Sequence, residues 1–176
     1  EYLKNITETR NVMVWGRDDK KMEQYKQHME KVGFEVTFCK SPHEVASECN
    51  LIITATASKD YVLSNDDILE GTHINAIGSD TPSKRELGPG IIEKADLVIA
   101  DSIEQCKYRG EIACSIRDGN LNLDNVVELG DVLSGKISGR ESKSQITVSD
   151  LTGVAVQDIK IADSVFKKFM EDKNEI

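Results

Sequence analysis

Short apolar runs alternate with stretches of helical spacing along most of the chain. Asn11–Trp15, Glu35–Cys39, Leu51–Thr54, Thr72–Ile77 and Leu97–Ala100 read as strands, with a short one at Gln145–Val148. Most are continuous apolar or β-branched runs, the pattern of strands covered on both faces. Between them, Lys20–Val32, Pro42–Cys49, Pro89–Lys94 and Ile103–Arg109 carry helical spacing, and Gly33 is a C-terminal stop for the first. Strand–helix alternation of this kind predicts right-handed βαβ units: an α/β fold, Rossmann-like and doubly wound, with a mostly parallel sheet.

The last third changes character. Asn120–Asn125 is polar, Val126–Gly135 reads as a short helix closed by glycine, and Lys136–Ser144 is a charged loop. From Asp150 onward, Leu151, Val154, Ala155, Ala162, Val165, Phe166 and Phe169 share one face, which predicts a long helix starting at Asp150 or Thr152 and fraying over Glu171–Ile176. At the front, Glu1–Thr7 reads as the end of a helix, and no G-x-G-x-x-G loop occurs anywhere. A dinucleotide-binding sheet places pyrophosphate on such a loop after its first strand. Either the fold is not dinucleotide-binding, or the chain is a fragment cut after that element.

Charge and composition narrow the partners. The net charge is −9 with a pI near 4.9 over 176 residues, one domain's worth. Nucleic acid and anionic membrane both call for a basic footprint, so neither is expected. No stretch has the length of a membrane span. Cys39, Cys49, Cys106 and Cys114 are widely spaced without C-x-x-C, and read as structural thiols of a reducing cytoplasm. His28, His43 and His73 pair with no other ligand type at metal-binding spacing, so no metal is expected.

One segment is richer in chemistry than the rest. Ile74-Asn75-Ala76-Ile77-Gly78-Ser79-Asp80-Thr81-Pro82-Ser83-Lys84-Arg85-Glu86-Leu87 is a buried strand that ends at glycine and at once presents carboxylates and cations. Ligand groups in open α/β sheets gather beyond the carboxyl ends of the strands. Asp80 and its neighbours are therefore a site candidate, against the plainer reading of a solvated loop.

Six segments, in order, resemble the ornithine cyclodeaminase/mu-crystallin family over nearly the whole chain: Val12–Asp18, Thr54–Ser58, Asn75–Leu87, Asp101–Cys106 with Gly110–Ile112, Glu128–Gly135 and Ile146–Asp158. The resemblance implies an NAD- or NADP-binding domain over 1–149, truncated at its front. It implies that 150–176 leads back toward a substrate-binding and dimerisation domain whose N-terminal half is absent, so that the full-length protein is a homodimer. The missing first strand should leave a gap between the strands starting at Asn11 and Leu51, and the fragment alone should be inactive.

The family's motifs also assign roles. Asp80 matches the carboxylate beside the nicotinamide and the substrate carbon, where burial would raise its pKa into a general base's range. Arg17 and Asp18 follow a strand where such folds read the adenosine ribose. An acid there takes the 2′-hydroxyl and an arginine accommodates a 2′-phosphate, so the pair points both ways, with a lean to NADP. Thr54, Ala55 and Thr56 pass the cofactor's phosphate and ribose, and Gly78 allows close backbone approach near the nicotinamide. Thr152 and Gly153 open the last helix with free N–H groups. Asp150 reads as a helix cap, and Glu111 and Asp158 as structural. The activity implied is conversion of ornithine to proline and ammonia through an imine. An amino-acid dehydrogenase or imine reductase is the alternative on the same scaffold, and a non-catalytic nucleotide-binding module is the alternative of another class.

Overall fold

The computed structural model describes residues 2–119 and 123–174. Every strand in it pairs in parallel. Strands β1 (Asn11–Val14) and β2 (Glu35–Phe38) form a two-stranded sheet. Strands β3 (Leu51–Thr54), β4 (His73–Ala76), β5 (Leu97–Ala100), β6 (Val126–Glu128) and β7 (Thr147–Asp150) form a second sheet in the order β3-β4-β7-β5-β6. The expected gap is present among the described residues, since β1 and β3 sit in separate sheets and each is a sheet edge.

Local chemistry starts and stops the connecting helices. Helix α1 (Asp19–Lys31) begins where Asp18 accepts the N–H groups of Lys20 and Lys21, and ends before Gly33, whose φ of 91° suits glycine. In α2 (Pro42–Glu48), Ser41 caps Glu44 and Pro42 occupies the first turn, where no N–H is needed. Three short helices follow: α3 (Ile91–Lys94), α4 (Ile103–Cys106) and α5 (Gly110–Arg117). The last two are α6 (Leu129–Leu133) and α7 (Ala155–Asn174).

Several boundaries differ from the sequence reading. Val126–Glu128 is a strand rather than the start of a helix, because its apolar pair fills the register beside Val98 and Ile99. Gly110–Arg117 is a helix that apolar spacing alone does not reveal, since six of its residues, Glu111 and Ser115 among them, are buried. Strand β7 runs through Asp150, and α7 begins only at Ala155, so neither Asp150 nor Thr152 opens it. That helix continues to Asn174, where fraying was expected, and residues 175 and 176 lie outside the described set. Of the polar stretch Asn120–Asn125, residues 120–122 lie outside it too. A 3-10 turn occupies Tyr2–Asn5, and Glu1 is not described.

The main apolar cluster packs on one face of the larger sheet. Ile52, Ile74, Ala76, Val98, Ala100, Val126 and Val148 point to one face and pack with Ala46 of α2, Ile91 and Ile92 of α3, and Ile112 of α5. On the opposite face of β3, Leu51 is 41 % and Ile53 49 % exposed, so coverage on both faces does not hold there. A separate small cluster of Met29, Phe34 and Val36 seats α1 on the two-stranded sheet. Helix α7 leaves Ile159, Ile161, Val165, Phe166 and Phe169 exposed. No described helix is long and apolar enough to cross a membrane.

Candidate functional site

Parallel pairing brings every carboxyl end of the larger sheet to one side. In register across it lie Thr54, Ala76, Asp150, Ala100 and Glu128. The loops leaving this edge carry Thr54–Ser58, Gly78–Leu87, Asp101–Ser102 and Leu151–Gly153. Seven of the expected site residues, Thr54, Ala55, Thr56, Gly78, Asp80, Thr152 and Gly153, are thereby brought to one edge by topology.

Buried carboxylates organise that edge. Glu86 is fully buried and accepts the Thr54 hydroxyl at 2.8 Å, the Thr56 N–H at 2.5 Å and the Gly78 N–H at 2.8 Å. Glu111, on α5, accepts the N–H groups of Glu86 and Leu87 at 2.8 and 3.0 Å. Burial raises the Glu111 pKa, while those two N–H groups oppose the rise. Glu111 thus holds the backbone of Glu86 and Leu87 in place. Asp150 accepts the Ile112 N–H at 2.9 Å, so it does cap a helix, but the helix is α5 and not the one that follows it in the chain. Its Oδ1 is buried without a hydrogen-bond partner, and burial drives its pKa from 3.8 up to about 7. Gly110, at φ 88°, leaves room for this carboxylate: a Cβ there would lie 2.4 Å from Asp150 Oδ2.

Thr152 and Gly153 are held by a neighbouring loop. Asp101 accepts the Thr152 hydroxyl at 3.1 Å and the Gly153 N–H at 2.7 Å, while Gln105 Nε2 donates to Thr152 Oγ1 and to the Gly153 carbonyl, both at 2.7 Å. The Gly153 N–H is therefore engaged rather than free, a correction to the sequence reading. Cys106 lies beneath this knot, and burial pushes its thiol up to about 12. All four cysteines are free thiols.

Asp80 departs from expectation in its electrostatics. Its side chain is 52 % exposed and receives a hydrogen bond from Lys84 Nζ at 2.5 Å. The Lys84 ammonium holds the Asp80 carboxyl below its ordinary value, where a raised value was expected. Half of the Asp80 side chain is open to solvent, so the desolvation that pushes its pKa up is outweighed by the Lys84 hydrogen bond. Arg85 is tied within the chain, to Asp118 at 2.7 Å and to the Leu87 carbonyl.

Gly78 has a packing reason of its own. A Cβ at that position would fall 2.1 Å from the Thr56 carbonyl oxygen, so the close approach is between the β3 and β4 loops themselves. Ala55 is exposed beside them. Asp18 spends one carboxylate oxygen on capping α1, whereas Arg17 reaches over to Ser58 Oγ at 3.2 Å, linking the β1 loop to the β3 loop. Of that pair, Arg17 is the one turned toward the larger sheet.

The sequence reading missed Glu86, Asp101 and Gln105 as organisers. Their signal was weak: Glu86 sits among charges, and only the apolar Leu87 beside it hints that the run turns inward.

An open parallel α/β sheet with polar loops converging beyond one row of carboxyl strand ends is the architecture of a crevice-forming, ligand-binding domain. The sequence model of the ornithine cyclodeaminase/mu-crystallin family matches residues 1–173. Alanine dehydrogenase of Archaeoglobus fulgidus is 35 % identical over 168 residues, covering 95 % of this chain and 51 % of the relative. Among solved structures, an archaeal alanine dehydrogenase dimer with bound NAD superposes at a TM-score of 0.91 with 31 % identity, over 97 % of this chain and 53 % of that one. Delta(1)-pyrroline-2-carboxylate reductase of Thermococcus litoralis, in complex with NADH and L-proline, gives 0.91 with 25 % identity, over 97 % and 54 %. The chain belongs to the ornithine cyclodeaminase/mu-crystallin family. It spans about half the length of the relatives it matches.

Proposed function

We infer that this chain is the NAD(P)-binding part, over 1–149, of a dimeric enzyme that moves hydride to or from the α-carbon of a small amino or imino acid. Residues 150–176 then lead toward the substrate-binding part. The observation that carries this reading is the Asp80–Lys84 pair, fixed on a loop that Glu86 ties to Thr54 and Thr56 at the carboxyl edge of the sheet. The residues present fit a dinucleotide: Arg17 offers a cation at the seam between the sheets, suited to a ribose 2′-phosphate, with Asp18 beside it for a 2′-hydroxyl. Thr54, Ala55, Thr56 and Gly78 would line the path of its phosphates and ribose, and Thr152 and Gly153 its nicotinamide edge.

Bound there, the nicotinamide would accept or return the hydride. An amino acid oxidised in this way gives its imine, NAD(P)H and one proton. Asp80 takes or supplies that proton, and Lys84 keeps the carboxylate charged and aimed until a substrate displaces the ammonium. Net oxidation or reduction is favoured over internal return of the hydride by the likeness to an alanine dehydrogenase and a pyrroline-2-carboxylate reductase. Ornithine cyclodeamination to proline, the reaction for which the family is named, is the second reading.

The test uses the protein as encoded by its gene. Absorbance at the NADH band is followed with alanine, with a cyclic imino acid and with ornithine. Net NADH change supports the oxidoreductase, proline from ornithine without net change supports the cyclodeaminase, and neither, with cofactor bound, leaves a nucleotide-binding module. Asp80→Asn should lower turnover by roughly 100-fold or more while cofactor binding persists. Near-normal turnover in that variant removes Asp80 from the mechanism.

A further inference from the structure

Glu86 uses every polar atom it has. Its carboxylate takes Thr54 Oγ1, Thr56 N and Gly78 N, its own N–H goes to Glu111, and its carbonyl accepts the N–H groups of Val62 and Leu63 at 2.7 and 3.2 Å. Three donors converge on two oxygens, so the group there must accept only. An amide would turn an N–H toward one of these donors, and an aspartate would be one methylene too short for both loops.

The geometry has no slack. The donors come from the end of β3 with the loop after it and from the loop after β4, and Gly78 brings these so close that a Cβ would strike the Thr56 carbonyl oxygen. Asp80 lies two residues beyond Gly78, and Lys84 two residues before Glu86. Any change in how Glu86 holds Gly78 and Thr56 therefore moves the Asp80–Lys84 pair relative to the β3 loop.

We propose that Glu86 is a positioning residue: its buried carboxylate sets the distance between the β3 loop and the Asp80 loop, and through it the alignment of hydride and proton transfer. This rests on the reading of the crevice as a nicotinamide site. Displacements near 1 Å cost about 100-fold in such reactions. Glu86→Gln should thus lower kcat at least tenfold, a larger factor than any change in the Kd for NADH or the KM for the amino acid. Asp80→Asn, by contrast, leaves the clamp intact.

The experiment has a cofactor-free arm and a kinetic arm, both on the protein as encoded. Amide proton spectra of Glu86→Gln should show Thr56 and Gly78 moving upfield, with changes through Thr54–Ser58 and Gly78–Lys84 but not in β5 or β6. Thr54→Val, which deletes one bond of the three, should give the same pattern more weakly and stands in if Glu86→Gln does not fold. Unshifted loop amides overturn the proposal whether or not the protein proves to be an enzyme. So does unaltered kcat in a folded Glu86→Gln variant, and so does unfolding of Thr54→Val, which would make this contact a keystone of the fold instead. Failure of the wild-type protein to bind NADH counts against the cofactor reading alone, and the amide spectra still decide the clamp.

Discussion

Replacing Asp150 by Asn isolates the cost of a single buried charge. Asp150 is 1 % exposed, its Oδ1 has no partner, and its folded pKa is raised from 3.8 to about 7. A carboxyl whose folded pKa exceeds its unfolded one binds more protons when folded, so stability falls as pH climbs through the window from about 4 to about 7 and is level above it. One group titrating in that window contributes about 1.4 kcal/mol per pH unit. Between pH 5.5 and pH 8, the wild type should therefore lose about 2 kcal/mol through Asp150. Asparagine mimics the protonated acid: its carbonyl can still accept from Ile112 N–H, and it carries no charge to desolvate. Urea unfolding of both proteins at the two pH values, followed by circular dichroism, cancels the other ionisable groups. The variant should gain about 2 kcal/mol on the wild type from pH 5.5 to pH 8. An offset independent of pH would mean that Asp150 does not titrate in this window, and the reasoning would fall.

The remaining predictions are brief. Gly78→Ala should destabilise by about 3 kcal/mol or more in urea unfolding, since its Cβ meets backbone at 2.1 Å rather than a movable side chain. A wild-type-like midpoint would refute the contact. With a thiol-specific chromophore, Cys49, the one partly exposed cysteine, should react first, and Cys106, with its thiol near 12, only on unfolding. Early labelling of Cys106 counts against its burial. Calorimetry of NADH with the 176-residue chain, which carries no G-x-G-x-x-G loop, should give affinity weaker than micromolar. Micromolar binding would show that this loop is dispensable.

Much of the architecture was legible because its cause is local. Runs such as Leu51–Thr54 and Leu97–Ala100 are short, apolar and rich in β-branched residues, and Gly33 stops the first helix where its φ of 91° suits glycine. The gap beside β1 and β3 followed from a missing motif. What escaped was set by partners distant in sequence. Val126–Glu128 becomes a strand only because β5 offers an edge, and Gly110–Arg117 becomes a helix around a carboxylate nearly forty residues on, 38 in the case of Ile112 and Asp150. The placement of Asp80 beyond the carboxyl end of a strand could be read from its setting after a strand and a glycine. Its lowered pKa could not, because that depends on how far Lys84 folds back and how much water remains. Glu86 looked like one more loop charge, and nothing in a linear reading says that two other loops donate to it.

The strand order has a consequence for how the molecule is made. Strand β7 lies at the middle of the larger sheet, between β4 and β5, yet among the described residues it comes last in sequence. Until Thr147–Asp150 is available, the sheet exists only as two pairs, β3-β4 and β5-β6, whose inner edges have nothing to bond. A chain emerging from the ribosome therefore cannot close its core early, and pairings across such sequence distance are slow to form. Nascent chains halted before Thr147 should be open to proteases and to pairing with each other, and protection should arrive abruptly once β7 inserts.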